Sequence, residues 1–148
     1  MKRRTFIAGF GSVAAWPVVA RAQQSDRVRR IGVLTPGDEN VAKTSVSALT
    51  QALADLGWID GRNVRMEFRQ AGDDINRMRA LAQELVGLQP DVLVTGSTVT
   101  TAALQRETRT IPIVLGGVGD PVASGLVTAL SQPGGNITGF GFLEARPT

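Results

Sequence analysis

Short apolar segments alternate with amphipathic segments along the chain, and this alternation constrains the fold more than any other feature. A strand-like run is followed by a run with apolar residues at helical spacing four times, and a last strand-like run ends the series. Parallel strands need crossover connections, which are usually helices. The pattern therefore predicts an α/β fold, a parallel sheet with helices on both faces. The strand-like runs are 30–34, 64–68, 92–95, 111–115 and 137–142, and the helical runs are 44–56, 75–88, 98–107 and 122–130.

Glycine, proline and aspartate mark the ends of these segments. Gly57 follows the first helix at the position where a left-handed residue is favoured, and Asp73 or Asp74 is expected to cap the second helix. Pro112 is expected near the start of the fourth strand. We expect the first helix to pack through one apolar face and the second through another, with Trp58 as a packing residue. The first face is formed by Val46, Leu49, Leu53 and Leu56, and the second by Ile75, Met78, Leu81, Ala82, Leu85 and Leu88.

Residues 1–22 have the features of a cleavable signal peptide. A basic start with Arg3 and Arg4 precedes an apolar stretch from Phe6 to Ala20, and Ala20-Arg21-Ala22 is a small-x-small cleavage site. We therefore expect export to the periplasm and cleavage after Ala22. The arginine pair followed by Phe6-Ile7 resembles a twin-arginine signal, and an ordinary Sec signal that happens to carry two arginines is the alternative.

The composition excludes several classes of function. Four of the 16 basic residues lie in the signal, so 12 remain beside 13 acidic residues, and the +3 of the whole chain becomes about −1. A nucleic-acid partner is therefore not expected. The chain contains no His and no Cys, which rules out Ser–His–Asp and Cys–His nucleophiles and His or Cys zinc sites.

Three loops follow predicted strands and would meet at the carboxyl edge of the sheet, where open α/β sheets bind ligands: 35–40, 95–98 and 116–121. Ser97 and Thr98 either hold an anion with free backbone N–H groups or simply cap the next helix. Asp120 either accepts a hydrogen bond from a ligand's amine or caps the helix that follows. Asp38 and Glu39 either do acid–base work or are solvated turn residues, the commoner case.

No nucleotide-binding motif accompanies these loops. The glycines at 116–119 do not form G-x-G-x-x-G, and no Walker lysine follows them. We therefore predict no cofactor, no metal and no enzymatic activity. A flavodoxin-like domain that binds a nucleotide or FMN is the rival interpretation from another functional class.

Several motifs resemble the substrate-binding proteins of ABC transporters, in the uncharacterised or aromatic-amino-acid-related branch with a type I periplasmic binding fold. They cover nearly the whole chain, and the Asp-Pro-Val and Pro-Gly-Gly-Asn sequences are the more specific. The quoted motifs are Arg30-Ile-Gly-Val-Leu, Leu53-Ala-Asp-Leu-Gly-Trp, Gly61-Arg-Asn-Val, Thr110-Ile-Pro-Ile-Val, Gly119-Asp-Pro-Val and Pro133-Gly-Gly-Asn-Ile-Thr-Gly-Phe.

The resemblance implies a flavodoxin-like or Rossmann-like lobe that closes on a small-molecule solute, an amino acid or a similar compound, and delivers it to an ABC permease in the membrane. Carried over residue by residue, it places five residues at the ligand. These five residues are Pro36, Asp38, Ser97, Thr98 and Asp120. The sequence makes no prediction of the oligomeric state, the identity of the solute or the partner permease.

The resemblance also bears on domain organisation. Two lobes with a cleft between them need roughly twice this many residues. We therefore expect residues 23–148 to be the amino-terminal lobe alone, without a second lobe. A ligand held from one side stays partly in water, so binding would be micromolar or weaker. An exported remnant without function is the alternative.

Overall fold

The computed structural model describes residues 27–118, Gly125 and 135–141. The expected signal peptide, Asp120 and the helix expected at 122–130 lie outside these residues. Within them, strands and helices alternate as the sequence predicts, and no helix is long and apolar enough to cross a membrane. The elements are β1 Arg29–Pro36, α1 Glu39–Asp55, β2 Val64–Gly72, α2 Ile75–Gly87, β3 Val92–Thr95, α3 Thr98–Glu107, β4 Ile113–Val118 and β5 Ile137–Gly141.

The strands form one parallel sheet in the order β2-β1-β3-β4-β5. The chain first adds β2 on one side of β1 and then crosses to the other side for β3, so the strand order reverses between β1 and β3. The register of β1 with β2 shifts at Thr35/Pro36, where Ala71 is passed over and Pro36 pairs with Gly72. The predicted α/β class with a parallel sheet is confirmed.

Apolar side chains pack on both faces of this sheet. On one face, residues of α2 and α3 pack against β1, β3, β4 and β5; this first layer contains Leu34, Met78, Ala82, Leu85, Leu93, Leu104 and Ile113. On the other face, α1 packs against β1 and β2; this second layer contains Val33, Val64 and Met66 with the partly buried Leu49 and Leu53. Helices therefore lie on both faces, as predicted.

The first helix begins five residues earlier than the sequence predicts. Asp38 caps it, since its Oδ1 accepts from the N–H groups of Asn40 and Val41, both at 3.0 Å. The expected solvated turn at Asp38 and Glu39 is thus wrong in part: Asp38 is the N-cap and Glu39 is the first helical residue. Asp74 caps α2 in the same way, as one of the two predicted aspartates.

The end of α1 confirms Gly57 and corrects two neighbours. Gly57 has φ +93°, and the Trp58 N–H donates to the Leu53 carbonyl at 2.8 Å, the bond that closes a Schellman motif. Leu56, expected on the packing face, is instead the C-cap and is 77% exposed. Trp58, expected to pack, is 41% exposed. Ile75, at the first position of α2, is also exposed.

The fourth strand begins after Pro112 and extends further than expected. The Leu93 N–H donates to the Pro112 carbonyl at 2.8 Å, so this proline serves as an acceptor just before the strand. Ile111 is outside β4 because its N–H bonds the Thr108 hydroxyl. Gly116 and the next two residues, expected in a loop, continue the strand to Val118. The fifth strand is confirmed at Ile137–Gly141.

Candidate functional site

The strand order reverses between β1 and β3, and the carboxyl ends of these strands form one side of a crevice. Such a reversal leaves two neighbouring loops diverging to opposite faces of the sheet, which is where open α/β sheets bind ligands. The loop after β1 enters α1 on one face, and the turn after β3 enters α3 on the other. The predicted loops at 35–40 and 95–98 are therefore neighbours.

A cavity of about 380 Å³ opens at this position, between α1 and the sheet. Its floor and one wall are mostly aliphatic, and Pro36, Thr95, Gly96 and Gly116 line its end at the carboxyl edge. Thr35, also in the lining, has its hydroxyl turned to the Arg69 carbonyl at 3.3 Å. The floor and wall comprise Val33, Val94, Ala42, Val46 and Leu49.

Asp38 lies between two lining residues, Pro36 and Val41, along the chain. One carboxylate oxygen, Oδ1, accepts both cap hydrogen bonds. Gly37 after β1 has φ +74°, its N–H donates to the Gly72 carbonyl at 3.4 Å, and its carbonyl accepts from the Gln70 amide at 2.9 Å. The loop that carries Asp38 is therefore held against the end of β2.

Ser97 caps α3 and belongs to a cluster of hydroxyl groups. Its Oγ accepts from the Thr100 N–H at 3.2 Å and lies 2.7 Å from the Thr100 hydroxyl. The Thr101 hydroxyl donates to the Ser97 carbonyl at 2.6 Å. The Thr100 hydroxyl also contacts that of Thr95 at the end of β3. Because Thr95, Thr100 and Thr101 are buried, this cluster locks the β3–α3 turn in place.

The N-terminus of α3 leaves donors available at the crevice. The first N–H groups of a helix have no intrahelical acceptor. Ser97 satisfies those of Thr100 and Thr101. Among the described residues, the N–H groups of Thr98 and Val99 meet no acceptor. Together with the partial positive charge of a helix N-terminus, these groups suit an anion such as a carboxylate.

The charges around the crevice are few. Glu39, exposed at the start of α1, lies 2.6 Å from the Lys43 ammonium one turn later. The hydrogen bond and the charge of Lys43 lower the pKa of Glu39 below its ordinary value. Lys43 is therefore part of an ion pair on α1. Among the described residues, no cluster of three or more potential metal ligands is present.

The structure brings four of the five expected site residues to one edge of the sheet. Pro36 lines the cavity, Asp38 and Ser97 cap the helices on either side, and Thr98 begins α3. Asp120 lies outside the described residues. Sequence reasoning missed the buried hydroxyls of Thr95 and Thr100 and the cavity wall supplied by α1. The available signal was the presence of three threonines among residues 98–101. Threonine is unfavourable in helix interiors, so three in one helical turn indicate that their hydroxyl groups have a specific role.

Comparisons with known proteins identify the family and the fold. A sequence model of a family described as "ABC transporter substrate binding protein" matches residues 30–145. A curated relative, a tyrosine-binding protein of Clostridioides difficile, is 31% identical over 115 residues, which are 78% of this chain and 33% of the relative. The chain thus spans about a third of that relative's length.

Solved structures show the same likeness. A ligand-free, open substrate-binding protein with adhesive properties from Clostridium difficile matches with a TM-score of 0.73 and 29% identity, covering 80% of this chain and 40% of that one. The ABC domain from Streptococcus pneumonia in complex with L-Trp matches with a TM-score of 0.71 and 26% identity, covering 77% and 38%. A conserved domain protein from Vibrio cholerae matches with a TM-score of 0.74 and 33% identity, covering 80% and 40%.

Proposed function

Because this chain belongs to the family of ABC transporter substrate-binding proteins, we propose that it binds an amino acid or a similar small organic solute for an ABC importer. The observation that carries the proposal is the crevice between β1 and β3. Pro36 and Gly96 line an apolar cavity there, and the helix caps Asp38 and Ser97 follow them along the chain. A free amino acid offers the matching three groups: a side chain, a carboxylate and an ammonium.

The proposed contacts follow from the charges. The ligand's carboxylate accepts hydrogen bonds from the N–H groups of Thr98 and Val99, next to the hydroxyl of Ser97. Its ammonium approaches the Asp38 carboxylate, because both cap hydrogen bonds go to Oδ1 and neither goes to Oδ2. Asp120, outside the described residues, is proposed as a second acceptor for the amine on the basis of the family motif. Pro36 contacts the ligand's apolar part from the cavity edge.

The known ligands of relatives support this class of solute. The curated relative is a tyrosine-binding protein, and the streptococcal structure holds L-Trp. Both ligands are amino acids with aromatic side chains. Binding and release are the whole of the proposed activity, with no covalent step and no cofactor.

Export is a separate part of the proposal. We propose that the signal is cleaved after Ala22 and that the protein acts in the periplasm, where it meets its permease. Expression in a Gram-negative host, fractionation and intact-mass measurement test this. A periplasmic species that begins at Gln23 is expected, and full-length protein retained in the cytoplasm would contradict it. Replacing Arg3 and Arg4 with lysine distinguishes the routes, since only the twin-arginine route should be blocked.

Calorimetry against the common amino acids tests the ligand class. We expect saturable binding of at least one of them. FMN, NAD and ATP serve as comparison ligands, because a flavodoxin-like domain would bind one of these instead. If none of the amino acids binds, the proposed solute class is wrong, and the alternative of an exported remnant without function is favoured.

Two matched variants test the role of Asp38. Asn retains the capping ability of Asp but carries no charge. Asp38→Asn should weaken amino-acid binding roughly tenfold or more, because the bond to the ligand's ammonium loses its charge. Asp74→Asn makes the same change at the cap of α2, beside the edge strand β2, and should leave affinity unchanged. Equal effects of the two substitutions on affinity would contradict the proposed contact between Asp38 and the ligand's ammonium.

A further inference from the structure

We propose that Thr95 and Thr100 are positioning residues that make the hydroxyl of Ser97 a hydrogen-bond donor only. As a result, the N-terminus of α3 takes the carboxylate of the solute and rejects its ammonium. This inference rests on the proposed function for its ligand class. It adds two buried residues that act through Ser97 and set the direction in which the solute binds.

The chain of hydroxyl groups begins at the buried end of β3. Thr95 is 2% exposed, and within the described residues its hydroxyl has one hydrogen-bond partner, the Thr100 hydroxyl. A hydroxyl carries a single hydrogen, and leaving that hydrogen without an acceptor in the interior is unfavourable. If Thr100 donated to Thr95, the hydrogen of Thr95 would have no acceptor among these residues. Thr95 is therefore the donor and Thr100 the acceptor.

The hydrogen of the Thr100 hydroxyl has two further acceptors within reach, both on Ser97. The Ser97 carbonyl oxygen lies 3.1 Å from Thr100 Oγ1, and Ser97 Oγ lies 2.7 Å from it. The carbonyl oxygen already accepts from the Thr101 N–H at 3.0 Å and from the Thr101 hydroxyl at 2.6 Å, which occupies both of its lone pairs. Thr100 therefore donates to Ser97 Oγ, the nearer acceptor and the one with a lone pair available.

These bonds leave Ser97 Oγ with only its own hydrogen to offer. One of its lone pairs accepts from the Thr100 N–H at 3.2 Å, and the other accepts from the Thr100 hydroxyl. Among the described residues, no acceptor remains for the hydrogen of Ser97, because the neighbouring Thr100 oxygen already accepts from Thr95. Ser97 is partly exposed, so its O–H group is available to a ligand in the crevice.

The start of α3 therefore offers donors to a ligand in the cavity at this edge of the sheet. The Ser97 hydroxyl adds to the N–H groups of Thr98 and Val99 and to the partial positive charge of the helix N-terminus. A carboxylate accepts from all three groups, whereas an ammonium only donates and finds no lone pair there. Asp38, at the start of α1, has the opposite character. The solute is thus oriented with its carboxylate at α3 and its ammonium at α1.

NMR of the 148-residue chain without ligand tests the direction of these hydrogen bonds. In a mixture of H₂O and D₂O, a hydroxyl that exchanges slowly splits the signal of its Cβ into two, and one that exchanges fast gives a single averaged signal. We expect split signals for Thr95 and Thr100, whose hydrogens are held in the interior, and an averaged signal for Ser97. A split signal for Ser97, or averaged signals for the two threonines, would overturn the inference.

A double substitution tests the effect on binding. Thr95→Val with Thr100→Val replaces both hydroxyl groups by methyl groups of similar shape, so no buried hydroxyl is left without a partner. The hydrogen of Ser97 is then free to turn away from the ligand. Calorimetry compares L-Trp, the ligand of the streptococcal structure, with tryptamine, which lacks the carboxylate. We expect the double variant to weaken L-Trp about fivefold and to change tryptamine less than about twofold.

A rescue variant and a control distinguish positioning from general stability. Thr100→Ser keeps the hydroxyl and should leave the affinity for L-Trp within about twofold of the unsubstituted chain. Thr108→Val removes a buried hydroxyl at the other end of α3, where it accepts from the N–H groups of Thr110 and Ile111, and should leave that affinity unchanged.

The outcomes separate this inference from the proposed function. If L-Trp binds and the double variant weakens L-Trp and tryptamine equally, or weakens neither, the positioning role of Thr95 and Thr100 is overturned and the proposed function stands. If no amino acid binds to the unsubstituted chain, the proposed function fails, and the NMR signals of the three hydroxyl-bearing residues still decide whether Ser97 is a donor only.

Discussion

Three polar side chains of the described residues cap the starts of helices. Asp38, Asp74 and Ser97 each follow a strand and accept hydrogen bonds from the first turn of the next helix. At Asp38 and Ser97 the capping group also lies beside the crevice, so one residue serves local structure and the proposed site together. Of the two roles that the sequence offers for Ser97 and Thr98, the cap by Ser97 is observed, and the ligand contact through the neighbouring N–H groups stays a proposal.

The ion pair at the start of α1 gives a prediction about protonation. Lys43→Gln should raise the pKa of Glu39 toward its ordinary value of 4.5, because the hydrogen bond and charge of Lys43 are what lower it. A lowered folded-state pKa means that the pair stabilises above the unfolded-state pKa of Glu39 and that this stabilisation is lost as pH falls through the lowered value. NMR titration of the side-chain carboxyl measures the shift. Lys43→Arg should leave the pKa low, and a low pKa in Lys43→Gln would refute the assignment.

The cap of α3 gives a prediction about stability. Ser97→Ala removes the acceptor for the Thr100 N–H and should lower the free energy of unfolding by about 1 kcal/mol in urea titrations. Ser97→Asn restores a capping side chain and should recover part of the loss. Thr98→Ala, one position later and without a capping bond, serves as control and should cost less. Equal losses for Ser97→Ala and Thr98→Ala would count against the cap.

At the scale of elements, close packing between strands sets the tolerance to substitution. Gly139 in β5 pairs with Leu115 in β4, and a Cβ built on Gly139 would overlap the Leu115 carbonyl. Gly32 in β1 is also crowded, but there the nearest atom is the Cδ2 of Leu93 at 2.8 Å, the end of a side chain that can rotate. The two glycines therefore serve different kinds of contact.

This difference predicts unequal costs. Gly139→Ala must move the backbone of β5 away from β4 and should lower the free energy of unfolding by about 3 kcal/mol, with faster hydrogen exchange at the β5 amides. Gly32→Ala should cost about 1 kcal/mol, because Leu93 can adopt another rotamer. Urea titration of both variants makes the comparison. A smaller loss for Gly139→Ala than for Gly32→Ala would show that β5 does not lie against β4 as described.

Over the whole molecule, one sheet joins two apolar layers. Leu104 belongs to the layer under α2 and α3, and Val64 to the layer under α1, and both are fully buried. Because neighbouring residues of β1, Val33 and Leu34, contribute to different layers, neither layer should unfold without disturbing the other. The described part of the chain is therefore expected to unfold as one cooperative unit.

Leu104→Ala tests this cooperativity. It should lower the free energy of unfolding by about 2–5 kcal/mol, the usual cost of a large-to-small substitution in a core. In a Trp16→Phe background Trp58 is the remaining tryptophan, and it lies in the loop after α1, beyond the other layer. Its fluorescence and far-UV circular dichroism should shift to the same lower urea midpoint. Val64→Ala should behave alike, and a fluorescence midpoint unmoved by Leu104→Ala would mean that the layers unfold separately.

The sequence by itself determined the type and order of the elements that the structure describes, and many of their ends. Periodicity distinguishes strand from helix, and the capping residues Asp74, Ser97 and Gly57 act on their own neighbours, so both signals are local. The early start of α1 was missed because Asp38 is equally suited to a solvated turn. The start of β4 was misplaced because it depends on a donor from another strand, the Leu93 N–H, which bonds the Pro112 carbonyl.

Only the tertiary structure decided where the strands lie and what the crevice contains. The reversal between β1 and β3 and the space left under α1 both depend on how packed elements fit one another. Asp91 shows the same dependence: its carboxylate accepts from the Arg30 N–H at 2.8 Å and the Arg27 guanidinium at 2.9 Å, about sixty residues away. Local sequence patterns do not predict such partners, because the free energy of these contacts arises only when distant segments are already in place.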